Sequence, residues 1–83
     1  MYKDLVKKAK TLEAVVRIGK NGITENVIQD ITTNLKRHKL TKIKMLKSCI
    51  EENDKRKIAE KIAKVTDSEI ILMTGFTFVI WRQ

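Results

Sequence analysis

Residues 14–31, AVVRIGKNGITENVIQDI, pass from one periodicity to another within a few positions. AVVRI (14–18) is short and β-branched and stops at Gly19, which predicts a strand. Beyond Thr24, the residues Val27, Ile28, Ile31 and Leu35 recur at helical spacing and make one apolar stripe. Thr24 is a suitable N-cap, Glu25 complements the positive end of the helix dipole, and Ile23 with Ile28 has the spacing of a hydrophobic staple. Lys36, Arg37 and Lys39 suit the negative end. A strand feeding a helix through the four residues GKNG (19–22) is therefore the seed of an α/β fold.

The same reasoning extends outward in both directions. Residues 3–12 (KDLVKKAKTL) place Leu5, Val6, Ala9 and Leu12 on one side and lysines on the other, a first helix. TKIKML (41–46) alternates Ile43 and Met45 with Lys42 and Lys44, a half-buried strand with a basic outer face. Residues 47–53 leave two helix starts open, a Ser48/Glu51 capping box or Asp54 as N-cap, with Asp54 the favoured one. The helix runs to about Lys64, burying Ile58, Ala59, Ile62 and Ala63, and Thr66-Asp67-Ser68 ends it. EIILMT (69–74) and FTFVIWR (76–82) are strands joined at Gly75, where a glycine opening a two-residue connection predicts a type II′ hairpin. The order αβαβαββ gives an α/β (α+β) two-layer sandwich, three helices on one mixed four-stranded sheet.

Composition narrows the functional classes. The 83 residues fit one small domain, residues 1–83, and 42% apolar content with three glycines and no proline suits a packed core. The longest apolar runs, IILM and FVI, are far short of the roughly 20 residues of a membrane helix, and no apolar h-region marks a secretory leader. A single cysteine, Cys49, allows no internal disulfide and no cysteine-built metal site in one chain, in keeping with a cytoplasmic setting. Of the net charge of +8, all falls in residues 1–50, and residues 51–83 are neutral. An excess confined to one segment can form a one-sided positive surface suited to a polyanion; the alternative is a solvated basic face that aids solubility.

GKNG admits two readings. A glycine-rich turn entering a helix aims backbone N–H groups at one point where the dipole adds positive charge, which is the physics of an anion site. The same residues could be a turn whose glycines merely satisfy geometry. GKNG lacks the GxxxxGK[ST] and GxGxxG spacings of nucleotide loops, and GxxG alone does not decide.

The wider context is more specific. VVRIGKNGITENVIQDI, LKRHKLTKIKML, DKRKIAEKIAKVT and the closing TGFTFVIWR resemble, in order and nearly end to end, the CRM domain (chloroplast RNA splicing and ribosome maturation), in particular its stand-alone YhbY-like members. The resemblance implies a KH-like α/β fold, also similar to the C-terminal domain of translation initiation factor three. It implies RNA binding, with precursor or assembling large-subunit ribosomal RNA as partner and Gly19, Lys20, Asn21 and Gly22 as the RNA-backbone loop; KH domains clamp about four nucleotides with such a loop. The sequence departs from the family at Phe76, where Lys or Arg often follows the hairpin glycine, and at KTLEA, where a His/Pro-containing turn is usual.

The expected mechanism is backbone-led: the loop receives a phosphate while Lys7, Lys8, Arg17, Lys36, Arg37 and Lys39 neutralise its neighbours. No catalytic residue, metal, cofactor, membrane or small-molecule substrate is expected. His38, the only histidine, stands among cations with no HExxH or acid cluster, so it either caps its helix or joins the basic patch. Phe78 and Trp81 read as core; Phe76, near the hairpin tip, stays open between core and base contact. A module docking on an acidic protein is the alternative, with GKNG then only a turn.

Overall fold

The computed structural model describes residues 2–47 and 54–82. Among these residues seven elements follow in the expected order: α1 (Tyr2–Thr11), β1 (Val16–Ile18), α2 (Glu25–His38), β2 (Leu40–Met45), α3 (Lys55–Val65), β3 (Glu69–Thr74) and β4 (Thr77–Trp81). The strands form one mixed sheet in the order β1-β2-β4-β3, with β1 parallel to β2 and the other pairs antiparallel. The Ser48/Glu51 alternative lies outside the described residues.

Local signals account for the helix ends. Thr24 caps α2 by accepting the Val27 N–H, and Ile23 and Ile28 both pack against the core beside it. Asp54 caps α3 by accepting the Arg56 N–H at 2.8 Å. Past α3, Asp67 takes a left-handed φ of 54° while the Ser68 and Asp67 N–H groups return to the Ala63 and Lys64 carbonyls. That is a Schellman closure with aspartate in the place glycine usually fills. In the hairpin, Gly75 has φ 56° and Phe76 no positive φ, the type II′ arrangement.

The three helices are divided between the two sheet faces rather than gathered in one layer. The reason lies in β4, where successive side chains point to opposite sides and both sides are apolar. Phe78 and Ile80 join Ile31, Leu35, Ile43, Ile58 and Ile62 under α2 and α3. Val79 and Trp81 join Ala9, Leu40 and Ile71 under α1. A register shift between Ile70 and Leu72 in β3 puts Ile71 and Leu72 together in the α1 cluster, while Ile70 and Met73 pack on the other face. β1 begins at Val16, two residues later than its sequence suggests; Val15, just before it, is 60% exposed and donates its N–H to the Lys42 carbonyl.

One helix face and one sheet end then define the site. β1 and β2 end, and β4 begins, at the same edge of the sheet, so the GKNG turn and the Gly75–Phe76 hairpin tip stand at that edge. The first turns of α2 and α3 open toward it.

Candidate functional site

GKNG is a closed turn: the Gly22 N–H donates to the Gly19 carbonyl at 2.9 Å. One of the amides expected to face a ligand is therefore spent within the turn. Lys20, Asn21 and Ile23 have no backbone acceptor among the described residues, and the first-turn amides of Thr24, Glu25 and Asn26 precede the first intrahelical donor. These are the donors left for an anion. Lys20 and Asn21 are exposed, and Gly19 and Gly22 half-buried. The turn is open to solvent.

The two glycines do different things. Gly22 has φ 69°, which L residues rarely adopt, and no atom lies within 4 Å of where a Cβ would stand. Gly19 has no positive φ, and a Cβ there would make only an ordinary contact of 3.6 Å with Leu46 Cδ1. Conformation demands glycine only at the second position.

Asn21, Gly22 and Ile23 form one wall of a cleft of about 290 Å³ whose other wall is the cap residue Asp54 with Lys57, Ile58 and Lys61 of α3. Lys57 and Lys61, one helical turn apart, share a face and are both exposed. Asp54 is the acid on this rim, and its Oδ1 already accepts the Arg56 N–H. With Lys20 on the turn itself, cations outnumber the acid around the cleft.

The structure separates the basic residues expected around this loop into three places. Lys36, Arg37 and Lys39 are exposed at the far end of α2, about 20 Å from Thr24 along a 14-residue helix. Arg17 lies between Val16 and Ile18, both turned into the α2/α3 core, so it faces the α1 side of the sheet beside Lys44. Lys7 and Lys8 are exposed on α1. Lys8 lines a second hollow of about 290 Å³ with Asn34, His38 and Lys42. None of these six joins Gly19–Gly22 in the cleft.

Two basic residues of the sequence also prove structural. The Lys42 ammonium donates to the Leu12 carbonyl at 3.1 Å, tying the end of α1 to β2, so the outer face of β2 is only partly free. Lys39 ends α2 with φ 62° and its N–H on the Leu35 carbonyl.

Lys57 and Lys61 were not legible as site residues, because they stand in the charge-neutral second segment. The available signal was their i, i+4 spacing along the flank of the Ile58/Ile62 stripe; its relation to GKNG is purely tertiary. Among the described residues, no three His, Cys, Asp or Glu side chains gather as metal ligands would, and no helix is long and apolar enough to cross a membrane.

Comparison with known proteins bears on this site. The model of the CRS1 / YhbY (CRM) domain family matches residues 2–82. Two relatives are each called a "Probable RNA-binding protein". MJ0652 of Methanocaldococcus jannaschii is 39% identical over 82 residues, 99% of this chain and 60% of its own length. YqeI of Bacillus subtilis is 32% identical over 76 residues, 92% of this chain and 77% of its own. The chain thus spans less than two thirds of the archaeal relative. The solution structure of the hypothetical protein SAV1595 from Staphylococcus aureus superposes with a TM-score of 0.82 at 32% identity, covering 99% of this chain and 83% of the other.

Proposed function

The chain belongs to the CRS1 / YhbY (CRM) domain family, and from that membership we propose that it binds RNA, with the GKNG turn and the α3 lysines holding one backbone phosphate. The observation that carries this is the cleft in which Asn21 and Gly22 face Lys57 and Lys61. Two mobile ammonium groups face the turn across this cleft, and the first turn of α2, with its free amides and half-charge of dipole, follows the turn directly in the chain. A backbone phosphate has acceptor oxygens enough to take several such donors at once.

The finer reading is that the RNA is ribosomal, in a large-subunit precursor or assembling particle in the cytoplasm. The distribution of charge supports a large and shaped partner. Cations at the cleft, at the far end of α2 and on the α1 side cover three regions of the surface, more than one phosphate can use. A folded RNA presents phosphates along several directions, and such a protein reads shape and backbone before sequence.

The test is a filter-binding titration with structured large-subunit RNA fragments at two salt concentrations, beside an acidic protein as control. Tight, steeply salt-dependent retention of RNA supports the reading, because each neutralised phosphate releases counterions. Equal or tighter binding of the acidic protein would replace it with a protein-docking role.

A further inference from the structure

The hairpin tip places an aromatic ring where the proposed phosphate site leaves room for a base. Phe76 is 51% exposed, whereas Phe78 two residues on is fully buried on the same side of the strand. Its backbone is fixed: the Phe76 carbonyl accepts the Met45 N–H at 2.7 Å, and Gly75 sets the turn with its positive φ. The Lys55 ammonium sits 5.8 Å from the ring centroid and donates to the Gly75 carbonyl at 3.1 Å. An exposed ring on a rigid two-residue turn, with a cation beside it, contributes nothing to the core.

Its position ties it to the loop. Phe76 immediately precedes β4, which lies two strands from β1, roughly 10 Å at ordinary strand spacing. The first turn of α3 spans the gap: Lys55 touches the hairpin tip, while its neighbours Asp54 and Lys57 line the cleft opposite Asn21 and Gly22. Leu46, 37% exposed, follows β2 between them and reaches Gly19.

We infer that Phe76 is a stacking platform for one unpaired nucleobase of the RNA strand whose phosphate sits at the GKNG turn. This rests on the RNA-binding reading above and adds a preference to it. Backbone contacts take duplex and single strand alike, whereas a ring face can be used only by a base that is free of its pair. The Lys55 ammonium lies over one face of the ring, so the base takes the opposite face and the cation adds to the attraction for the adjoining phosphate.

The test pairs the loss of the ring with the loss of the base. Fluorescence anisotropy is measured with a 12-nucleotide single-stranded RNA, the same strand with abasic positions, and a duplex of equal length. Wild type and the variants Phe76→Ala, Phe76→Leu and Phe76→Tyr are compared, with thermal unfolding as a check on folding. With the ring as platform, Phe76→Ala and Phe76→Leu lose about fivefold in affinity for the single strand, the lower end of aromatic stacking. Phe76→Tyr retains wild-type affinity, and all variants equal wild type on the abasic strand and on the duplex. Equal binding of wild type and Phe76→Ala to the single strand, or an equal loss on all three ligands, overturns the stacking role while leaving RNA binding in place. Failure of wild type to bind any of the three overturns both.

Discussion

Placing a carboxylate at Gly22 separates the loop's backbone requirement from its charge. Gly22 has φ 69° with no atom within 4 Å of the position a Cβ would take, so a substitution there meets strain but no clash. The left-handed conformation costs an L residue about 1–2 kcal/mol, and Asn and Asp bear it best. Gly22→Asn and Gly22→Asp should therefore lose similar stability, with Tm lower by about 4–8 °C per kcal/mol in a domain of this size. They differ in charge. A carboxylate about 5 Å from a bound phosphate repels it by about 1 kcal/mol at the dielectric of water and about 3 kcal/mol at an effective value of 20. At about 1.4 kcal/mol per decade, that is a loss of about 5- to 150-fold in RNA affinity for Gly22→Asp beyond that of Gly22→Asn. The assay is anisotropy at low salt, with calorimetric or CD melts of both variants. Equal affinities for the two variants, with both folded, would refute the placement of a phosphate at this turn.

Three further outcomes are expected, two at the basic surface and one in the core. Lys57→Ala with Lys61→Ala should weaken RNA binding and flatten the log-affinity against log-salt slope by about 1.4 for a single strand, at about 0.7 per lysine; Lys36→Ala with Arg37→Ala should also lower affinity and flatten the slope, but should leave the Gly22→Asp penalty unchanged because they lie a helix length away. Thr41 is 1% exposed and its Oγ1 has no partner among the described residues, so Thr41→Val should raise stability by about 1 kcal/mol in a denaturant titration, by removing an unpaired buried hydroxyl.

Legibility followed the range of the interaction. Thr24, with Ile23 and Ile28, marked the start of α2 because a cap and staple act within five residues. Asp54 and Gly75 were readable for the same reason. The split of helices across the sheet was written in FTFVIW, whose alternate residues are apolar on both sides, but period-two patterning gives no sign of which helix covers which face.

The site divided in the same way. Gly22 follows from the turn it must make, yet the commitment of its N–H to Gly19 is a matter of turn type that glycine spacing does not reveal. Counting charge by segment favoured Lys36, Arg37 and Lys39 and passed over Lys57 and Lys61, since contact between α3 and the loop is made across the fold. Lys42 looked like free basic surface and instead holds the end of α1 through the Leu12 carbonyl.

The most direct measurement is a 1H–15N correlation titration of the labelled protein with a short single-stranded RNA. A phosphate held at the turn predicts the largest amide shifts at Lys20, Asn21, Ile23 and the first turn of α2, with smaller changes along Lys57 to Lys61 and little at Gly22, whose N–H is held by Gly19. Shifts confined to α1 or to the Lys36–Lys39 end of α2, with the turn unmoved at saturation, would contradict it.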